Sequence, residues 1–352
     1  MDIQEMSLKQ KIGQVCMIGV KGEELQAETV NMLTNYHIGS VLLTEQNMQQ
    51  PKQVHKITQN LQSYAGKVPL FIATEQGGGE QSSISKGVTQ SPDQRTLGQI
   101  NNRLYTRQIA QVVSEELRAM GVNFNLYPSA NIADTESTSF GANNKYTTKH
   151  VVAAVQGCNK ENVIATVRNF PGTGDQRANI TASLSEIGPF YKTALQPFIK
   201  AIEAGAQCIT ITNESVPSTE STEPAVFSSI IVQKLLREKL GFEGIIMTES
   251  LEQITNEVSI EEAAIRSLEA GVDLLLLPHD ESEQIPIVRA IEDAVVNERI
   301  SEDQINQAVT RILQVKQAFS VDELVDYDRD QFRKQWSQKL ETLLQEKAAV
   351  KG

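Results

Sequence analysis

Short unbroken apolar runs alternate along this chain with segments whose apolar residues recur at helical spacing. The runs occupy residues 14–20, 38–44, 69–73, 122–127, 163–167, 206–212, 244–247 and 272–277. Each has the length and composition of a strand buried on both faces. Between them, Ile109, Val112, Val113, Leu117 and Met120 make one helical face that stops at Gly121, a residue suited to the position just past a helix. Leu235, Leu236, Lys239 and Leu240 repeat in the same way up to Gly241. Ser301 with Gln304 reads as a capping box, opening a helix whose Ile305, Val309, Ile312 and Leu313 share a face. Eight strands with intervening helices predict an α/β fold, a (β/α)₈ barrel in a single domain over residues 1–320. In residues 321–352, Phe332, Trp336, Leu340 and Leu343 predict one extra C-terminal helix, docked on the barrel or serving as a dimer contact.

A parallel barrel keeps its chemistry at the C-terminal ends of its strands. Three polar stretches, 76–92, 134–149 and 213–224, follow predicted strands and are expected to build that rim. After Ile245, Ile246 and Met247 come Thr248, Glu249 and Ser250, polar residues where the strand should surface. Glu249 is therefore the first carboxylate to consider, although a solvated surface glutamate is the plainer reading of such a residue. His279 and Asp280 stand in a similar place after the last run. The glycine-rich stretches at 76–79 and 170–175 follow strands too, but match neither phosphate-binding pattern and read as tight turns. His37, His55, His150 and His279 are isolated, so no metal and no cofactor is expected.

Composition narrows the partners. The chain has 352 residues, 40% hydrophobic and 22% charged, with 32 basic against 44 acidic residues and a net charge of −12. That surface disfavours nucleic acid and anionic membrane. No run approaches the length of a membrane-spanning helix, and the N-terminus lacks the basic and apolar regions of a secretory signal. Cys16, Cys158 and Cys208 are odd in number and scattered, and Cys16 and Cys208 lie in apolar runs. Buried thiols in a reducing compartment are expected, hence a cytoplasmic protein.

Several segments, in order and at the right spacing, resemble the family 3 glycoside hydrolases, specifically the single-domain bacterial β-N-acetylglucosaminidases of the NagZ type. Residues 9–19 and 38–43 with Asn47 are similar to that family's first two strands. Thr74-Glu75-Gln76-Gly77-Gly78-Gly79 stands where the family has D-Q-E-G-G-R. Residues 123–128 match its N-x-x-x-A-P, and 167–172 its V-K-H-F-P-G. Residues 236–251 are close to L-R-x-x-L-G-F-x-G-V-I-x-[ST]-D-x-L, and 263–278 to A-x-x-A-G-x-D-x-L-L-x-P. The likeness covers about residues 6–320. It implies a barrel fold and an ancestral retaining β-hexosaminidase, with a carboxylate nucleophile and a separate acid/base.

Carried over position by position, the resemblance implies a rebuilt site. The nucleophile position is Glu249, one methylene longer than the family's aspartate. The acid/base pair falls on Asn179 and Thr181, which carry no group that titrates near neutral pH. Sugar-binding positions fall on Thr74, Glu75, Thr138, Arg168, Asn169, Asp175 and Asn213, of which Asp175 alone keeps the family's residue type. Three readings follow. One is a non-hydrolysing or very weak binding module for an amino-sugar or muropeptide-like ligand, or for a protein partner. Another is a working retaining β-N-acetylglucosaminidase that uses Glu249 and recruits Asp175, Glu214 or His279 as acid. The third is different chemistry in the altered pocket.

Overall fold

A computed structural model of the chain describes residues 3–172, 194–215, 223–254, 258–278, 280–321 and 323. Its eight strands are β1 (Cys16–Gly19), β2 (Ser40–Leu43), β3 (Phe71–Thr74), β4 (Phe124–Asn125), β5 (Ile164–Phe170), β6 (Cys208–Ile211), β7 (Ile245–Ser250) and β8 (Leu274–Leu276). All are parallel and pair in chain order, and β8 returns to β1 through Cys16 opposite Leu275, closing the barrel. Each of the eight apolar runs overlaps one of these strands; β1, β2, β4, β6 and β8 lie within their runs, whereas β3, β5 and β7 continue past the predicted ends into polar residues. The extra C-terminal helix expected around Trp336 lies outside the described residues.

Helices wrap the sheet because their apolar faces match its outer wall. They are α1 (Leu8–Gln14), α2 (Ala27–Asn35), α3 (Pro51–Ser63), α4 (Gln94–Ile100), α5 (Arg103–Ala119) and α6 (Asn144–Lys160). They continue as α7 (Gln196–Glu203), α8 (Ile230–Lys239, with the wider π-helical turn), α9 (Ile260–Ala270), α10 (Glu281–Val296) and α11 (Glu302–Ala318). The face predicted on α5 is buried, and Gly121 follows it in the left-handed conformation at φ 82°. The capping box of Ser301 and Gln304 is present at the start of α11. Part of the polar stretch 134–149 is helical rather than loop, because Asn143 caps α6 by accepting from Tyr146 N–H at 3.2 Å.

The N-terminal end of the barrel is closed by charge as well as by apolar packing. Lys316 from α11 is buried, and its Nζ donates to Gln14 Oε1 at 2.9 Å and to the Gly39 carbonyl at 2.8 Å. The same ammonium lies 4.8 Å from the centre of the Phe71 ring. Asp273, just before β8, is fully buried and binds Arg237, Arg311 and the Ile246 N–H. All three cysteines are buried, as the apolar runs around Cys16 and Cys208 imply. No helix among the described residues is long and apolar enough to cross a membrane.

Candidate active site

Because every strand is parallel, the C-terminal ends of β3 to β7 form one arc of a common rim. Two of those ends are irregular. On β5, Val167 pairs with Ile209 but Phe170 pairs with Ile211, so β5 carries one extra residue there. On β7, Met247 pairs with Leu274 and Ser250 with Leu276, an insertion of the same size. Such bulges bend a strand and re-aim a side chain. Here they fall at Arg168–Asn169 and at Thr248–Glu249.

Threonine hydroxyls repair both ladders. Asn169 N–H donates to Thr210 Oγ1 at 3.0 Å, with Asn169 in the left-handed region at φ 71°. Leu276 N–H donates to Thr248 Oγ1 at 2.9 Å, and Thr248 is fully buried. These bonds explain why β7 runs through polar residues to Ser250, where the apolar run alone predicts an end at residue 247. Glu249 therefore lies within the strand, not after it.

The side chains at the rim meet in two groups. Asn213, beyond β6, donates its backbone N–H to Glu249 Oε2 at 3.0 Å and its Nδ2 to the Ser250 carbonyl at 2.8 Å. Across the end of β4, Arg168 forms an ion pair with Glu75, and the same Nη1 donates to the Leu126 carbonyl at 3.3 Å. The groups are joined by the main chain, since Thr212 N–H donates to the Phe170 carbonyl at 3.0 Å. Asn169 Oδ1, Asn213 Oδ1 and Ser250 Oγ are buried and have no hydrogen-bond partner among the described residues. Each such atom costs about 1–3 kcal/mol if nothing meets it.

Two of the expected positions make bonds within the chain. Thr74 is fully buried, and its hydroxyl donates to the Leu43 carbonyl at 3.0 Å beside Met48 Sδ, which ties β3 to β2. Thr138 is held by its carbonyl, which accepts from Gln94 Nε2 at 2.7 Å. Asp175, Asn179, Thr181 and His279 lie outside the described residues. The other histidines are not at the rim cluster. His150 is buried against Phe140 and hydrogen-bonded to Thr106 Oγ1 at 2.8 Å, and burial pushes it down to about 4. His55 Nδ1 lies 3.1 Å from the Ala119 carbonyl.

The glycine-rich stretch after β3 is a turn, as its pattern predicts. Gly78 has φ 90°, and a Cβ there would come within 2.1 Å of the Pro92 carbonyl oxygen, so only glycine fits. Asn125 clamps the start of this loop, accepting from Gln76 N–H at 2.9 Å. Its far end is held by Glu116 of α5, which accepts the Thr89 N–H at 3.0 and 2.9 Å and the Thr89 hydroxyl at 2.7 Å. Burial pushes the Glu116 carboxyl up to about 7. Sequence patterns pass over Thr210, Gln94 and Glu116. A threonine at a strand end and a glutamate in a helix are too common to signal such roles.

Comparison with known proteins agrees with the barrel fold. Residues 7–315 match the glycosyl hydrolase family 3 N terminal domain. A beta-hexosaminidase A of Pseudoalteromonas piscicida is 26% identical over 330 residues, covering 83% of this chain and 55% of that protein. A beta-hexosaminidase of Methylobacillus flagellatus is 28% identical, covering 74% and 79% of the two chains. Among solved structures, a family 3 beta-N-acetylglucosaminidase from a Paenibacillus species superposes with a TM-score of 0.83 at 30% identity, covering 90% of this chain and 64% of that one. A beta-N-acetylhexosaminidase from Beutenbergia cavernae gives 0.79 at 25% identity, covering 89% and 99%. The chain thus spans about half of one relative and nearly all of another.

Proposed function

We propose that this chain, which belongs to glycosyl hydrolase family 3, is a barrel that binds an amino-sugar-type ligand and hydrolyses it very weakly or not at all. What supports this reading most is the pair Asn179 and Thr181, which the resemblance to the family puts at the positions of its acid/base. Departure of a natural aglycone needs a proton donor, and neither an amide nor an aliphatic hydroxyl supplies one near neutral pH. Loss of a general acid/base costs typically about 10²–10⁴-fold. The extra methylene of Glu249 also displaces its carboxylate by about an ångström, and misplacement on that scale can cost about 10²-fold. These losses need not multiply, since groups that act together are not additive.

Binding is supported by the rim itself. The oxygens of Asn169, Asn213 and Ser250, which have no hydrogen-bond partner among the described residues, sit at successive strand ends around Glu249, and polar groups of a ligand would satisfy them. The relatives named beta-hexosaminidase point to the amino-sugar class. The three buried thiols fit the reducing, cytoplasmic setting that this reading assumes.

An activated aryl β-N-acetylglucosaminide tests the reading, because its good leaving group largely removes the need for an acid. The expected result is at most a trace burst, absent in Glu249→Ala, with no steady turnover of natural sugars. Saturable binding of N-acetylglucosamine or glucosamine is expected in calorimetry. Robust turnover by the unmodified protein, lost in Glu249→Gln, would overturn it. That outcome would favour the working hexosaminidase, which the retained carboxylate of Glu249 supports. Glu214, next to Asn213, would then be the first acid to substitute, followed by Asp175 and His279.

A further inference from the structure

On the outer wall, away from the strand ends, α5, α6 and α7 enclose a groove of about 490 Å³. Among the described residues Arg103, Arg107, Lys149 and Lys200 line it and Glu203 is the one acidic residue, on a chain whose net charge is −12. Lys200 and Glu203 are paired with each other at 2.6 Å. No carboxylate partners Arg103 or Arg107 among the described residues. The groove therefore presents fixed positive charge on an otherwise acidic molecule.

One wall has a regular spacing. Arg103 and Arg107 are four residues apart on α5, and Lys149 lines the groove from α6. The two arginines are separated by about 6 Å along the helix axis. Between the cations lies apolar surface. Leu104 is 62% exposed, more than most large hydrophobic side chains of a folded domain, and Val152 and Ala153 line the floor. The two helices cannot shift easily, because Gly157 of α6 sits where a Cβ would come within 2.4 Å of the Arg107 carbonyl oxygen. The surface is preformed.

We propose that this groove is a docking site for an acidic amphipathic helix of a protein partner. Carboxylates one turn apart on such a helix match the spacing of Arg103 and Arg107, with Lys149 and Lys200 adding positive charge, and an apolar side chain between them covers Leu104 and Val152. Charge complementarity sets the choice of partner and the approach rate, while the apolar contact holds it. A nucleic acid strand fits less well. It would extend past the groove over a surface that repels phosphate, whereas a short helix ends within it. The proposal is independent of whether the barrel hydrolyses sugars.

The test uses the full chain and synthetic 18-residue helices, read by fluorescence anisotropy. A Glu/Leu/Ala peptide with glutamates at i,i+4 should bind saturably in the micromolar range, and raised salt should weaken it. Arg103→Glu with Arg107→Glu should weaken binding on the order of tenfold or more, with an unchanged circular dichroism spectrum and melting curve. Leu104→Ser should weaken it several-fold, and a Gln-for-Glu peptide should bind poorly. The proposal is overturned if the acidic peptide does not saturate, if the charge reversal leaves its affinity unchanged, or if a single-stranded DNA 20-mer binds as tightly.

Discussion

Asn213 reaches Glu249 through its backbone: its N–H donates to Oε2 at 3.0 Å, and its side chain donates to the Ser250 carbonyl at 2.8 Å. The carboxylate is thus oriented by the end of the neighbouring strand, and its position depends on the length of the side chain that carries it. Shortening that side chain is not expected to restore full activity. In the combination Glu249→Asp, Asn179→Asp and Thr181→His, turnover of a natural β-N-acetylglucosaminide is expected to stay far below that of a family hexosaminidase. Thr74 still ties β3 to β2, and Arg168 is still paired with Glu75. Steady-state kinetics comparing kcat and KM in the triple variant check this; full activity would show that those replaced positions do not matter.

The bulge on β5 depends on one hydroxyl. Thr210→Val keeps the shape but leaves the Asn169 N–H without its acceptor at 3.0 Å. The expected cost is about 1–3 kcal/mol in urea unfolding, and Thr210→Ser should recover most of it. Equal stability of the valine variant would mean that the hydroxyl does not hold the bulge.

Glu116 makes stability depend on pH in the acid range. Its folded carboxyl is raised from 4.5 to about 7, chiefly by burial. Between those values the folded state holds a proton that the unfolded chain has released. The contribution of Glu116 is therefore fully present below about 4.5 and is lost as pH rises through about 7. Glu116→Gln should flatten that part of a plot of melting temperature against pH. If the slope persists unchanged in the glutamine variant, another group is responsible.

Lys316 works in the opposite sense at higher pH. Burial lowers its ammonium from 10.5 to about 7, so between those values the unfolded chain binds the extra proton. Stability from this residue should rise as pH climbs from about 7 towards 10.5. In Lys316→Met the rise should disappear, and melting curves at several pH values separate the two cases. A variant that keeps the full rise would place the titration elsewhere.

The order of elements was legible along the chain because burial on both faces forces each barrel strand to be an apolar run. Eight such runs, the helical face ending at Gly121 and the capping box at Ser301 are local patterns of chemistry, and local physics suffices for them. Glu249 could also be singled out because it follows an apolar run, and Arg168 and Asn213 through the resemblance to the family. Tertiary structure alone decided what these residues do with one another. Whether β7 stops at Met247 or continues through Glu249 depends on Thr248 receiving the Leu276 N–H, a bond to the next strand. The bulge at Asn169 likewise depends on Thr210 of β6, 41 residues away. The pairing of Arg168 with Glu75 bridges 93 residues. The same holds at the opposite end, where Asp273 gathers Arg237 and Arg311. Hydrogen bonds between strands reflect register, and register is set by the closed sheet as a whole, so no window of sequence contains it.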